Sequence, residues 1–469
     1  MQHSLAASAR ENAGHAQSRF SRNSMTRPRV LVIGCGFGGI EAVRGLARAD
    51  VEITLIDRTN HHLFQPLLYQ VATAGLSAPA VSAPIRHVLR SQMKLGRLTI
   101  LKAEVQTIDV AGRNVGIDGG ERLPYDHLIV AAGAMHSYFG HDDWARFAPG
   151  LKTLADAFDI RARVIGAFEN AELEAHGASR EAWMSFVVIG GGPTGVEMAG
   201  TMSEIAQHTL REEFRRIDSS QTRVTLLEGA DRVLGAFVPA QSERAREQLR
   251  RLGVDVRTGS QVTGIDAEGV TYETSKGGSV TSHRLVCKTV IWAAGVAGSP
   301  LGAALARGSG AALDRNGRVV VEADLSLAGH PEISVVGDLA AALSYAAGGP
   351  RLAPGVSPAA KQMGRTAAAN LLRRLRGEPT RPFRYRDYGN LATVGRKAAV
   401  VELAVPVFGA LRFSGLAAWL FWLFAHIYFL IGFRNRIIVM VDWAWAYFTY
   451  ERGARVVAEP PARNASSGS

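Results

Sequence analysis

Cysteine is nearly missing from this chain. Only Cys35 and Cys287 occur in 469 residues, 252 positions apart (287 minus 35), and neither belongs to a CxxC pair. That scarcity excludes a disulfide framework, a thiolate zinc or iron–sulfur site and a paired redox dithiol, and it fits a reducing compartment. Residues 1–26 lack the apolar run of a secretory signal and read as a disordered tail. No Ser/His/Asp or Cys/His grouping marks a nucleophile, and His61 and His62 have no neighbouring ligand cluster, so no metal site is expected. The net charge of +11, from 53 Lys+Arg against 42 Asp+Glu, suits an anionic nucleotide or an anionic membrane face. It comes with no aromatic-studded basic patch or DNA-reading motif, which excludes nucleic acid.

What the chain does have is glycine at fixed spacing. In RVLVIGCGFGGIEAVRGLARADVEITLID, residues 29–57, an apolar run meets Gly34, Gly36 and Gly39, a helical pattern follows, and a second β-branched run closes on Asp57. This is a βαβ unit. Gly34 makes the tight turn, Gly36 lets a pyrophosphate approach the backbone, Gly39 lets the helix pack on the strand, and Asp57 is placed to accept from a ribose hydroxyl. The pattern recurs from Phe186, with Gly190, Gly192 and Gly195, a long helix to about Arg211, and a strand ending at Glu228. Two complete units imply two dinucleotides, each in its own Rossmann-like α/β domain.

Between and after these units the spacing predicts a helix over Val81–Arg90 and a strand over Leu98–Val105. It also predicts a buried strand ending in Ala132–Gly133, a connecting helix within Gly150–His176 and a helix over Pro239–Leu252. Further on it predicts a strand delivering Asp338 at a turn, and a helix from about Ala359 to Arg376. The stretch from His61 to Ser77 has no clean period and reads as a buried, shaped loop. The end of the chain changes character. Between Arg412 and Arg434 lie 21 residues without a formal charge, and four of the seven tryptophans (Trp419, Trp422, Trp443, Trp445) fall in this region. Trp and Tyr beside Arg suit a membrane interface. The stretch is long enough to span a bilayer, but lying flat keeps both aromatic segments on one face, with Arg434, Arg436 and Arg452 on lipid phosphates.

The chain resembles the two-dinucleotide-binding-domain flavoproteins and, within them, the type II NADH dehydrogenases, single-subunit NADH:quinone oxidoreductases. The likeness is carried by Gly34–Gly39, FQPLLYQVATAG at 64–75, GGGPTGVEMAG at 190–200, VVGDLA at 335–340, AKQMG at 360–364 and HIYFLIGFRNR at 426–436. It implies FAD held by Gly34, Gly36, Gly39, Asp57, Ala132, Gly133 and Asp338, and NADH held by Gly190, Gly192, Gly195 and Glu228. It further implies Glu197 where nicotinamide and flavin meet, and Gln362 bordering flavin and quinone. Many members carry another glutamine four residues before Gln362, where this chain has Pro358.

The implied layout is an FAD domain over 27–150 and 296–390, an NADH domain over 151–295, a membrane-anchoring region over 391–455 and a tail over 456–469. The implied activity is hydride transfer from NADH to FAD, then two-electron reduction of a membrane quinone in the respiratory chain without proton pumping. The implied partners are NADH, a membrane quinone and lipid on the cytoplasmic face of the cell membrane, with a homodimer among the arrangements the reading allows. The rival readings are a flavin-bearing NADH sensor and a disulfide-reductase-like flavoprotein. The second needs paired cysteines that the chain lacks.

Overall fold

A computed structural model describes residues 27–346, 348–405 and 409–457, so the two tails expected at 1–26 and 456–469 lie outside it, apart from Val456 and Val457. The chain forms two compact units. The first comprises the described part of Met1–Asn60, with Pro84–Ala134 and Gly298–Arg386. The second comprises His61–Ala83, Met135–Ala297 and the described part of Asp387–Ser469. Residues 391–455, expected as a region of their own, fall within this second unit.

The first unit is built on a six-stranded sheet in the order Ser326–Leu327, His330–Val335, His127–Val130, Arg29–Ile33, Glu52–Asp57, Leu98–Lys102. All neighbours are parallel except the first pair. Val30 to Ile33 are all buried, because a parallel strand covered on both faces needs a continuous apolar run. On this sheet the helix Phe37–Leu46 packs against the helix Ser357–Leu375 through small residues. A Cβ on Gly364 would stand 2.1 Å from the Gly38 carbonyl oxygen, and one on Gly45 would stand 2.8 Å from the Ala368 methyl. The two backbones therefore meet closely, and larger side chains at these positions would separate them.

The second unit carries a four-stranded parallel sheet in the order Val254–Arg257, Arg223–Leu227, Ser185–Ile189, Thr289–Trp292. Beside it, an antiparallel sheet of Ser260–Asp266, Gly269–Lys276 and Ser279–Val286 closes a core around Trp292, Tyr272 and Tyr138. The connecting helix runs Leu154–Leu173. It starts where it does because Thr153 accepts from the Asp156 N–H at 3.1 Å while Asp156 accepts from the Thr153 N–H at 2.8 Å, a reciprocal cap. A second antiparallel sheet, Asn390–Gly395, Ala398–Val405 and Gly409–Ser414, leads into two helices, Leu416–Phe429 and Phe433–Thr449.

Three expectations differ. The stretch from His61 to Ser77, expected as a shaped loop, forms the strand His61–Leu63 and the short helices Gln65–Leu67 and Leu68–Ala72. The helix expected over Val81–Arg90 is broken into short helices Ala78–Val81, Ile85–Val88 and Arg90–Met93, with Ser82–Pro84 extended between the first two. Pro84 explains the break: it lacks an N–H and pushes Ala83 out of the helical region. The strand expected over Leu98–Val105 ends at Lys102, and a new strand begins at Val105 in a separate antiparallel sheet.

Candidate functional site

In the first unit, the strand Arg29–Ile33 enters its turn at Gly34, which has φ +94°. A Cβ there would meet the Ala131 carbonyl oxygen at 2.4 Å, so only glycine passes. The turn is held by the Gly34 N–H donating to the Ile56 carbonyl at 2.8 Å. Gly36 has open space where its Cβ would be, and a Cβ on Gly39 would fall 1.8 Å from the Gly34 carbonyl oxygen. Asp57 braces the loop from below: one oxygen accepts from the Cys35 N–H at 2.6 Å, and the other accepts from the Thr59 N–H and hydroxyl, each at 2.7 Å. The carboxylate is thus fixed at the strand end with lone pairs still available to a ribose.

The second unit repeats this construction. Gly190 has φ +106° and its N–H donates to the Leu227 carbonyl at 2.8 Å. Gly192 is open, and a Cβ on Gly195 would fall 1.8 Å from the Gly190 carbonyl oxygen. Glu228 accepts from the Gly191 N–H with one oxygen and from the Ala230 N–H at 2.7 Å with the other. In both units a carboxylate at the end of the second strand accepts from an N–H of the glycine loop, which stands open above a helix N-terminus, the geometry of a pyrophosphate cradle.

Other expected residues complete the first cradle. Val335 pairs with Val130 in the sheet, so the Asp338 turn and Ala132–Gly133 leave neighbouring strands at the same end. Gly133 has φ +67°. Among the described residues, no hydrogen bond reaches the half-buried Asp338 carboxylate, and an unpaired acceptor beside an open glycine loop fits a hydroxyl-rich dinucleotide. Gln362 lies on the helix Ser357–Leu375 with both ends of its amide in use. Its Oε1 accepts from the Arg386 N–H at 2.8 Å, and its Nε2 donates to the Arg386 carbonyl at 3.0 Å.

Glu197 sits in the second unit, on the helix Pro193–Glu204 against the strand Asn390–Gly395. Burial pushes its carboxyl well above the usual carboxylate range, opposed by a hydrogen bond from the Thr393 backbone. One face of the same helix continues through Thr201 to Glu204, which sequence reasoning missed. Glu204 is largely buried, is raised in pKa by that burial, and faces Arg452 at 3.6 Å. Helical spacing from Glu197 could have flagged Glu204. Its partner, far along the chain, left no local signal.

The C-terminal helices correct the interface expectation. Leu416–Phe429 has 14 residues, about 21 Å at 1.5 Å per residue against a hydrocarbon core of about 30 Å. Among the described residues no helix is long and apolar enough to cross a membrane. Trp422 is only 2% exposed. Trp419 and Trp443 are partly buried, the first stacked on Tyr447 at 5.7 Å and the second tilted against Trp422 at 5.4 Å between ring centroids, whereas Trp445 is 60% exposed. Arg436 caps its neighbouring helix through the Leu430 and Tyr428 carbonyls, and Arg452 is buried against Glu204 and the Thr73 carbonyl. Of the arginines assigned to lipid phosphates, only Arg434 stands exposed for that role. What faces outward instead is aliphatic and aromatic: Leu416, Leu420 and Phe424 on one helix, Phe433, Ile437 and Phe448 on the other.

Cys35 and Cys287 are both free and buried, and burial raises both thiols, Cys287 to about 12. Neither is poised as a redox thiolate.

Comparison with known proteins agrees with this construction. The family model for pyridine nucleotide-disulphide oxidoreductases matches residues 28–364, and the NDH2 C-terminal domain model matches residues 388–450. A type II NADH:quinone oxidoreductase of Mycobacterium tuberculosis, NdhA, is 43% identical over 439 residues, covering 92% of this chain and 89% of that protein. A second from the same organism, Ndh, is 44% identical, covering 93% and 91%. The structure of NDH2 from Plasmodium falciparum in complex with NADH superimposes with a TM-score of 0.79 at 19% identity, covering 92% of this chain and all of that one, a likeness of fold. The chain belongs to the pyridine nucleotide-disulphide oxidoreductase family and, within it, to the type II NADH:quinone oxidoreductases.

Proposed function

We propose that this chain is an FAD-dependent, non-proton-pumping NADH:quinone oxidoreductase. The observation that carries the reading is the duplicated loop-and-carboxylate cradle, in a chain aligned over 92% of its length with an NADH:quinone oxidoreductase. The overall reaction, NADH plus a proton plus quinone giving NAD⁺ plus quinol, draws one proton from the surroundings. FAD, when bound, supplies the two-electron chemistry, and the side chains bind, orient and protonate.

The first cradle, with Asp57 and Asp338, is read as the FAD site, and the second, with Glu228, as the NADH site. Glu228 next to Gly229 and Ala230 offers hydroxyl acceptors and no adjacent cation, which favours NADH over NADPH. Glu197 is read as a proton-holding group beside the nicotinamide. Its burial keeps it protonated at pH values where an exposed glutamate is ionised. Gln362 is read as a positioning residue bordering flavin and quinone, since its amide is spent on Arg386.

The outward apolar stripe of the two C-terminal helices supports peripheral attachment to a membrane, where quinone is dissolved, and the face proposed is the cytoplasmic one. A homodimer would fit the same attachment. Steady-state NADH oxidation with a water-soluble quinone tests the whole reading. Turnover that continues for many equivalents, insensitive to a thiol-blocking reagent, is expected. A single equivalent of oxidation with no turnover would favour a flavin-bearing sensor instead.

A further inference from the structure

The strand order of the second unit fixes which way a dinucleotide runs across it. Glu228 follows the strand Arg223–Leu227, on one side of Ser185–Ile189, and Thr289–Trp292 lies on the other side, all three parallel. With the pyrophosphate on the Gly190–Gly195 loop and the adenosine ribose at Glu228, the nicotinamide half passes over the end of Thr289–Trp292. Ala293, Ala294 and Gly295 follow there. Ala293 already borders the loop, since a Cβ on Gly190 would stand 2.7 Å from its carbonyl carbon. Gly295 comes two residues later, within about 8 Å of Ala293.

Against Gly295 lies Phe139. Gly295 has φ +67°, and a Cβ there would run into the Ser137 carbonyl oxygen and stand 2.9 Å from the Phe139 ring. Glycine is what lets that ring sit so close to the strand end. Phe139 itself is held in two unfavourable ways. Its backbone is left-handed, φ +54°, which strains a bulky side chain, and its ring is 67% exposed. Its aromatic neighbours take the opposite course. Tyr138 and Trp292 are buried with ring centroids 4.9 Å apart. The Tyr138 hydroxyl donates to the Ala148 carbonyl at 2.8 Å, and the Trp292 indole N–H donates to the Ser137 carbonyl at 3.0 Å. Phe139 meets Trp292 by an edge, at 6.1 Å. The segment is thus anchored at Ser137 and Tyr138 while Phe139 is turned outward. Strain of this kind persists where the surroundings over-determine it, and it clusters at ligand sites.

We infer that Phe139 is a substrate-binding residue whose ring packs on the nicotinamide of NADH. The inference rests on the reading of the second cradle as the NADH site and deepens it. Gly190, Gly192, Gly195 and Glu228 meet the pyrophosphate and the adenosine half, and Phe139 supplies a contact for the other half. Nicotinamide is a flat ring, and covering the exposed phenyl with it removes apolar surface from water. Adenine is flat as well, but Glu228 draws that half to the far side of Ser185–Ile189. Binding alone is assigned to Phe139, which makes and breaks no bond and holds no proton.

The test uses the FAD-loaded, full-length protein and two probes followed by calorimetry: NAD⁺, which leaves the flavin oxidised, and ADP-ribose, which lacks the nicotinamide. Phe139→Ala should weaken NAD⁺ binding about tenfold, through lost apolar contact, and leave ADP-ribose within about twofold of native. KM for NADH should rise with the NAD⁺ dissociation constant. Phe139→Gly takes the left-handed backbone without strain, so it should show the same split between probes while melting no lower than the native protein. Phe139→Tyr keeps the ring and should keep native NAD⁺ affinity. Equal weakening of both probes would overturn the inference, because the ring would then be shaping the whole unit. Unchanged NAD⁺ affinity in both Phe139→Ala and Phe139→Gly would overturn it as well, leaving an exposed ring that meets no ligand. Native protein that binds neither probe would remove the reading of the second cradle and this inference with it, a failure distinct from the other two.

Discussion

The carboxylate of Glu204 and the guanidinium of Arg452 stand 3.6 Å apart with both side chains largely buried, and each is what makes the other's charge tolerable. Burial raises the pKa of the glutamate and lowers that of the arginine, and in each case the partner opposes the shift. Arg452 also donates to the Thr73 carbonyl at 3.2 Å, and the segment around it is tied down by Arg161 donating to the Ala454 carbonyl at 3.0 Å. Arg452→Ala leaves the largely buried carboxylate without its ion-pair partner, held by the Arg396 N–H, and should destabilise the fold by about 3 kcal/mol. Glu204→Gln with Arg452→Met should lose clearly less than that. Thermal unfolding of the two variants checks this, and equal losses would mean that the pair itself contributes little.

Glu197 makes stability depend on pH. Its folded pKa is raised by burial above the value in the unfolded chain, so the folded state binds the proton more tightly. That contribution is fully present below the unfolded pKa of about 4.5 and is lost as pH rises through the folded value. Glu197→Gln should therefore raise the melting temperature on the alkaline side and flatten the profile there. A variant whose melting temperature follows the native curve at every pH would show that Glu197 is not the buried titrating group.

Much of this was legible from the sequence, for a physical reason. Gly34, Gly39 and their counterparts Gly190 and Gly195 stand where any Cβ would enter a backbone carbonyl, so the spacing of the glycines is dictated by the turn and reports it directly. Asp57 and Glu228 followed from their strand ends. The short-range reading failed where a single residue overrode the pattern, as Pro84 did within the expected helix, and where burial was decided by distant partners. Nothing near Trp422 or Arg452 in the chain says that they turn inward. Trp443 meeting Gln70, and Arg452 meeting Glu204, decide that, and both contacts join residues hundreds of positions apart.

The two cradle carboxylates should separate cleanly in ligand binding. Asp338→Ala removes an acceptor that no described protein group uses, and should weaken FAD retention by about 1.5–3 kcal/mol with little effect on folding. Glu228→Ala loses an acceptor for NADH and also the brace on Gly191, so KM for NADH should rise at least about tenfold and the preference over NADPH should narrow. FAD content after gel filtration and initial rates with both nucleotides measure these. A native protein equally efficient with NADH and NADPH would contradict the assignment of Glu228.

Membrane attachment should depend on the outward stripe rather than on the tryptophans alone. Phe424 is 66% exposed and Phe448 is 81% exposed. Phe424→Glu with Phe448→Glu should release the protein from sedimented vesicles, because each placed charge opposes insertion of its helix face at the interface. FAD binding and oxidation of NADH with a soluble quinone should remain. Co-sedimentation of the double variant at the native level would place the attachment elsewhere.

One chain takes electrons from NADH and gives them to quinone through a bound flavin. Anaerobic stopped-flow absorbance measures both halves on the same sample. One equivalent of NADH should bleach the flavin band, and one equivalent of quinone should then restore it. Protein that folds without flavin, or flavin that NADH reduces and no quinone reoxidises, would contradict this electron transfer.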